Sequence, residues 1–438
     1  MIPPPDPCSQ QCLRMISRIK LKHVLLLLVT LFLLDVFGAF THVFELSYDK
    51  YFKYPYEGDI HGFIDSIKHR KKPNVDPIND YNFSYIHDCK DFCNTQNDFR
   101  SLRIVFLVKS SAEHFQRRVA IRSTWGFKKR FFDVPTRTIF LLGVHKGDDE
   151  LQKKIDEEAE TYKDILQANF IDSYYNNTIK TMIGFKWAYN HCRNSKFYFF
   201  VDDDIYVSVK NVLRFIRNPA YYPEYLKDPN RLVKREVEEV PKDLVRNPRA
   251  NAREKILMRR REGWTRHNKT RMPSGDGLKG VDDLEDKFNN STVYKKLTRG
   301  RRQVFDFELP DDVKLFAGYV FVSSPHRHKT SKWYVSLEEY PFHLWPPYVT
   351  AGAYVLSKAA MIEMYLTSLY TQHFRFDDIF LGLVAKKADI EPFHCDEFHF
   401  YKKDYTKFNY KYVISSHGYG NPEELMEIWN EQKGMGNA

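Results

Sequence analysis

The chain has 438 residues, room for roughly two to three domains, with 28% charged residues, 16% aromatic residues and a net charge of +10. Between Glu224 and Arg302 it carries 22 Lys plus Arg against 13 Asp plus Glu, a difference of +9, so the remainder is nearly neutral. That location argues against a nucleic-acid-binding face elsewhere, and six cysteines are too few for a disulfide scaffold.

Residues 1–22 are Pro-rich and then basic, with Arg14, Arg18, Lys20 and Lys22, and read as a cytoplasmic tail. The apolar run Val24–Phe44 follows, so residues 23–44 are expected to be a single membrane-spanning anchor. Basic residues before it and Glu45 and Asp49 after it keep the N-terminus cytosolic, and the run ends on no convincing cleavage site. Asp35 lies inside the run, where a carboxylate costs about 2.5–3.5 kcal/mol on insertion scales; the surrounding Leu, Val and Phe offset it.

Residues 45–100 are polar and Tyr-rich and read as a luminal stem. The sequons at Asn82, Asn176, Asn268, Asn289 and Asn290 agree with a luminal address. Cys89 and Cys93 have only His87 nearby, too few ligands for zinc. A disulfide or two of the secretory pathway is expected instead, among Cys8, Cys12, Cys89, Cys93, Cys192 and Cys395, with the pairing open.

From Arg103 strands and helices alternate. RIVFLV (103–108) and RTIFLLG (137–143) are strand candidates, and helical periodicity covers 150–163 and 178–192. FYFFVDDDIYV (197–207) opens as a strand buried on both faces and closes on Asp202, Asp203 and Asp204. Another helix covers 207–217. The alternation predicts a parallel sheet with right-handed crossovers, the nucleotide-binding half of an α/β enzyme. Residues 219–310 are charged with poor apolar periodicity and read as a flexible insertion.

Order returns with the strand KLFAGYVF (314–321). The aromatic and Pro-dense stretch 331–357 offers flat side chains for sugar rings or for core packing. A helix from Lys358 to Tyr370 precedes FRFDDIFLGLVAKKA (374–388), where Asp377 and Asp378 open another helix. His417 follows a short strand, and Asn421-Pro422-Glu423-Glu424 looks like the start of the last helix.

Three adjacent carboxylates at the carboxyl end of a strand repel one another unless a cation intervenes, which suits a hard divalent metal shared with a diphosphate. His417 is a candidate to complete that shell, and an imidazole would favour Mn²⁺ over Mg²⁺. Asp378 is placed to be a general base toward an attacking hydroxyl. A metal-dependent transfer from a nucleotide-activated donor accounts for this set.

RRVAIRSTWG (117–126), FLLG (140–143), DILQANFIDSYYNNTIKT (164–181), FVDDD (200–204), SKWY (331–334), PPYVTAGAYVLS (346–357), FDDIFLG (376–382), VISSH (413–417) and PEELMEIWN (422–430) occur in order. In these pieces the chain resembles the inverting β1,3-galactosyltransferase/N-acetylglucosaminyltransferase family that includes brainiac and Fringe, and its brainiac branch most. The resemblance implies an α/β GT-A catalytic domain over 101–218 and 311–438 in a type II Golgi membrane protein, with a UDP-sugar donor and Mn²⁺. It implies that Asp204, Asp202 and His417 serve the metal, Asp204 most directly, and that Asp203 faces the ribose or sugar. Asp378 would be the base, with Asp377 beside it, and Arg118, Arg122 and Lys180 would lie by the uridine diphosphate. Many relatives carry Glu-Asp where this chain has Asp377-Asp378.

The reading is a β1,3-N-acetylglucosaminyltransferase that extends a β-mannosyl glycolipid from UDP-GlcNAc at the Golgi membrane. Transfer of galactose from UDP-Gal, or of N-acetylgalactosamine, is the alternative on the same fold. An inactive glycan-binding protein is the alternative from another class, and intact acid motifs count against it.

Overall fold

The computed structural model describes residues 21–53, 59–93, 102–127, 134–227 and 309–438. Its strands are β1 (Tyr85–His87), β2 (Ile104–Lys109), β3 (Thr136–Val144), β4 (Ile165–Ile171), β5 (Phe197–Asp202), β6 (Tyr206–Val207), β7 (Phe316–Phe321), β8 (Tyr348–Ser357), β9 (Phe393–His394), β10 (Phe398–His399) and β11 (Ser415–Ser416). Among the described residues they form an eight-stranded mixed sheet, β1-β4-β3-β2-β5-β8-β7-β9, and a small sheet, β10-β11-β6.

The helices used below are α1 (Leu21–Val36), α2 (Ile60–Lys68), α3 (Phe115–Ser123), α4 (Asp149–Tyr162), α5 (Asn177–His191), α6 (Val209–Arg217), α7 (Lys358–Ser368), α8 (Asp377–Lys387) and α9 (Pro422–Gly434). The fold is α/β, and the expected strand–helix alternation from Arg103 to Arg217 is present.

Strands β4, β3, β2 and β5 are parallel, while β8 pairs antiparallel to β5. The period of two explains why β5 is apolar throughout: Phe197, Phe199 and Val201 enter one core, and Tyr198 and Phe200 the other. Local chemistry sets the helix ends. Asp148 accepts from the Leu151 N–H at 2.9 Å to start α4, and Lys163 closes it in the left-handed region. Helix α5 lies tight on the sheet because of Gly184, where a Cβ would stand 2.8 Å from Leu141 Cδ1.

Two expectations meet a different arrangement. Residues 59–93, expected as part of a stem, fold onto the catalytic domain. Ile60 and Ile64 of α2 are buried in its core, β1 pairs antiparallel with the edge strand β4, and Cys93 is bonded to Cys192. Ile60, Phe63, Ile64 and Ile67 do recur at helical spacing, but one short helix within an otherwise polar, Tyr-rich stretch does not show what it packs against. The apolar run that begins at Val24 is also interrupted. Helix α1 has 16 residues, about 24 Å of rise against a hydrocarbon core of about 30 Å. Gly38, with φ 77°, turns the chain, and Asp35 pairs with Lys329 at 2.7 Å. Among the described residues, no helix is long and apolar enough to cross a membrane. The expected tail (1–22) lies outside the described residues up to residue 20, and the insertion (219–310) lies outside them from 228 to 308.

Candidate active site

The strand order turns around between β2 and β5. From β2 the chain proceeds outward through β3 and β4, then returns with β5 on the other side of β2. Such a switch point leaves a crevice beyond the carboxyl ends of the strands. The register there pairs Lys109, the last residue of β2, with Asp202, the last of β5. The Lys109 ammonium stands 2.9 Å from Asp202 Oδ1 and 2.9 Å from Asp377 Oδ2, and donates to the Ala351 carbonyl at 3.0 Å. Burial opposes its charge, but Asp202 and Asp377 outweigh burial and hold its pKa above the ordinary value.

The three consecutive aspartates have distinct surroundings. Burial, with Asp204 and Asp377 adding to it and Lys109 opposing, pushes the Asp202 carboxyl up to about 6. Asp203 is buried, which alone would raise it, yet hydrogen bonds from His114 (2.8 Å), Ser110 (2.7 Å) and Arg117 (2.9 Å) hold it below the usual carboxylate range. Its oxygens thus organise the loop from β2 to α3. Asp204 accepts from the Tyr419 N–H through its carbonyl at 2.7 Å, and its Oδ2 lies 3.3 Å from His417 Nε2. The hydrogen bond to Asp204 raises the His417 pKa against the effect of burial.

Asp377 and Asp378 open α8, as its sequence pattern predicts. Asp377 takes Lys109 and, at 3.0 Å, the hydroxyl of Thr181. Asp378 accepts from the Ile379 N–H at 2.8 Å. Burial and the neighbouring Asp377 charge push its carboxyl up to about 7. The two acids therefore differ: Asp377 is bound into the sheet edge through Lys109, and Asp378 is poised to exchange a proton near neutrality.

The cations expected near a diphosphate have partners inside the chain. Arg118 is 0% exposed, holds Glu158 through Nε and Nη2, and donates to Ser110 Oγ at 3.1 Å. Arg122 pairs with Glu158 at 2.6 Å and Asp164 at 2.8 Å. Lys180 donates to the Ser110 carbonyl at 2.6 Å and pairs with Asp172 at 2.7 Å. Arg118 and Lys180 thus brace Ser110, while Arg122 ties α3 to the segment before β4. Arg117, one residue before Arg118, reaches the acid cluster.

Lys109, Ser110, His114 and Arg117 were not singled out from the sequence. The available signal was a lysine ending an otherwise apolar parallel strand, at the edge where such sheets place ligands.

The donor set suits a divalent cation held jointly with a diphosphate. Asp204 Oδ1 is buried without a hydrogen-bond partner, and an imidazole lies beside the same carboxylate. A small hard cation commonly takes one or two protein ligands and completes its shell with substrate phosphates and water. Among the described residues no group of three or more His, Cys, Asp or Glu could hold a metal by itself. Asp202 Oδ1 is engaged by Lys109, and Asp204 and His417 lie together, 3.3 Å apart, with Asp204 Oδ1 unpartnered.

A family model described as Galactosyltransferase matches residues 116–235 and 286–396. The "Beta-1,3-galactosyltransferase brn" of Drosophila melanogaster is 36% identical over 412 residues, covering 94% of this chain and 95% of the relative. The mouse "Beta-1,3-galactosyltransferase 1" is 26% identical, covering 81% of this chain and 80% of its own length. The human "Lactosylceramide 1,3-N-acetyl-beta-D-glucosaminyltransferase" is 24% identical, covering 88% and 78%.

Proposed function

Because the chain belongs to the galactosyltransferase family and is a β1,3-glycosyltransferase, we propose that it moves N-acetylglucosamine from UDP-GlcNAc to the 3-hydroxyl of a β-mannosyl glycolipid or related glycan, with inversion. The observation that carries the inverting transfer is the place of Asp378 at the start of α8, next to Asp377, which Lys109 ties to Asp202 of the acid cluster; burial and the Asp377 charge push the Asp378 carboxyl up to about 7. A base with that pKa is ionised in a useful fraction at neutral pH and still takes a proton readily.

In the reaction the acceptor oxygen gives its proton to an Asp378 oxygen and bonds to the anomeric carbon. The bond from that carbon to the diphosphate oxygen breaks on the opposite face, and UDP leaves with the electron pair. Asp204 and His417 would hold a Mn²⁺ ion, whose contribution is to offset charge on the departing diphosphate. Lys109 keeps Asp377 and Asp202 in place, so that α8 presents Asp378 to the crevice. Asp203 holds His114 and Arg117 at the crevice edge. The Arg117 guanidinium, partly exposed there, is the cation available to a donor phosphate.

UDP-galactose is the second donor reading, favoured by the relatives at 36% and 26% identity, both named as β1,3-galactosyltransferases. Helix α1 alone is too short to span a bilayer, so anchoring as a type II Golgi membrane protein would need the apolar run from Val24 to Phe44 as a whole; the basic residues ahead of it and the sequons after it support that orientation. The test is a panel of labelled UDP-sugars with and without Mn²⁺ on glycolipid acceptors, followed by linkage analysis. Transfer of GlcNAc in β1,3 linkage is expected. Galactose transfer would replace the donor assignment, and no transfer or donor hydrolysis with any sugar would overturn the catalytic reading in favour of an inactive glycan binder.

A further inference from the structure

From Ser331 to Trp345 the chain carries several large aromatic residues, and packing accounts for most of them. Tyr340, Phe342 and Trp345 lie in the core around α7 and α8. Trp333 does not; it is 44% exposed. Its indole N–H donates to the Tyr174 hydroxyl at 3.0 Å, and Tyr174, in the turn before α5, is itself 49% exposed. The Lys332 ammonium lies 4.5 Å from the Trp333 ring centroid and 5.5 Å from that of Tyr174. Two rings from distant segments are thus held together in the open by a polar contact, although the core does not need either.

Their place relative to the site is set by Arg375. It pairs with Glu339 and donates to the Tyr334 carbonyl, tying the Trp333 loop to the segment that enters α8 three residues before Asp378. On the other side, Tyr174 leads into α5, whose Thr178 donates to the Phe374 carbonyl at 2.7 Å and whose Thr181 donates to Asp377 at 3.0 Å. Burial is the main cause of the raised Tyr174 pKa, and the Asp378 and Asp377 carboxylates add to it. The two rings therefore stand at the rim on which Asp378 opens. An aromatic face beside a few aimed polar groups is how a site takes a ligand that is apolar on one side and hydroxylated on the other. A pyranose ring has that character, with axial C–H bonds on one face and hydroxyls at its edge.

We propose that Trp333 and Tyr174 form the platform for the acceptor sugar, a hexopyranoside whose C–H face lies on the indole while its reacting hydroxyl is turned toward Asp378. The proposal rests on the transferase reading above and adds the subsite that reading lacks. The indole supplies contact area at little entropic cost, since its hydrogen bond to Tyr174 already fixes the ring.

The test uses the full-length chain in detergent, with UDP-GlcNAc and UDP-Gal as donors and methyl β-mannoside and methyl β-galactoside as acceptor probes. Trp333→Ala is expected to raise the acceptor KM about tenfold more than the donor KM, the size of a lost aromatic contact with its buried area. Trp333→Tyr, which keeps a flat ring, should recover most of that loss. Tyr174→Phe keeps its ring but frees the indole, and should raise acceptor KM by a smaller factor; it serves if the alanine variant does not fold. The platform is overturned if acceptor KM in folded Trp333→Ala stays within about twofold of wild type, or if donor KM rises equally. Wild-type chain that neither transfers nor hydrolyses any UDP-sugar would overturn the transferase reading and the platform with it, an outcome distinct from the KM result.

Discussion

The ammonium of Lys109 and the carboxylate of Asp377 are 268 residues apart in the chain and 2.9 Å apart in space. The same ammonium holds Asp202 at the end of β5, so one buried cation links the strand that bears the acid cluster to the helix that bears the candidate base.

Lys109→Met keeps the shape of the side chain and removes the charge. Asp202 and Asp377 are then left without their cation, and breaking a buried pair from one side costs about 3–5 kcal/mol. Thermal unfolding should show a marked loss of stability at neutral pH. Transfer activity should fall at least about a hundredfold even at temperatures where the variant stays folded. A folded variant with near-wild-type turnover would show that the link has no role in placing Asp378.

Asp378→Asn removes the base while keeping its volume. Turnover should fall by roughly 10²–10⁴ with UDP affinity retained. In the wild type, the active form is the carboxylate, so rate should rise with pH through about 7 and level off above it. That limb should be missing in the residual activity of the variant. Stability runs the other way. A carboxyl raised in the folded state contributes stability that is present below its ordinary pKa and lost as pH rises through about 7. The asparagine variant should therefore gain in Tm relative to wild type at pH 8 and show little difference at pH 4. Equal Tm differences at both values would contradict the assigned shift.

Mn²⁺ should raise the melting temperature of the wild-type chain in the presence of UDP, because a ligand of the native state alone stabilises it. Asp204→Asn and His417→Ala should each reduce that increment. The effect should also weaken toward acid pH, since the Asp204 hydrogen bond makes His417 easier to protonate and a protonated imidazole has no free nitrogen to coordinate. An undiminished Mn²⁺ increment in both variants would move the metal elsewhere.

Cys93→Ser opens a disulfide that closes 99 residues. The entropic estimate for a loop of that size is about 4.7 kcal/mol, and measured losses run about 2–5 kcal/mol. Denaturant titration of the variant should show a lower midpoint, and the segment 59–93 should become easier to cleave with protease. Loss of the bridge with no change in either measurement would mean that packing of Ile60, Ile64 and Tyr81 alone secures this segment.

Much of the architecture was legible without coordinates. The apolar run ending at Asp202, the helices over 149–217 and the acids opening α8 are written in local patterns of period two and 3.6, and local patterns survive in one dimension. The family was legible too, because its motifs are short, ordered and rich in residues that the chemistry needs. Residues 59–93 were not: β1 is too short to show a period, and although Ile60, Phe63, Ile64 and Ile67 of α2 have helical spacing, their burial depends on a core formed by distant chain.

The site divides along the same line. The sequence by itself determined which acids stand at the carboxyl end of the central strand and which open the late helix, because strand and helix boundaries follow from neighbours. Only the tertiary structure decided what each acid does there. The register of β2 on β5 set Lys109 against Asp202 rather than a phosphate. Packing of α3 on Glu158 turned Arg118 inward and left Arg117 at the crevice. The meeting of two distant turns left Trp333 and Tyr174 exposed together. Charges and rings acquire partners by three-dimensional proximity, and contacts across hundreds of residues leave no period in the chain to read.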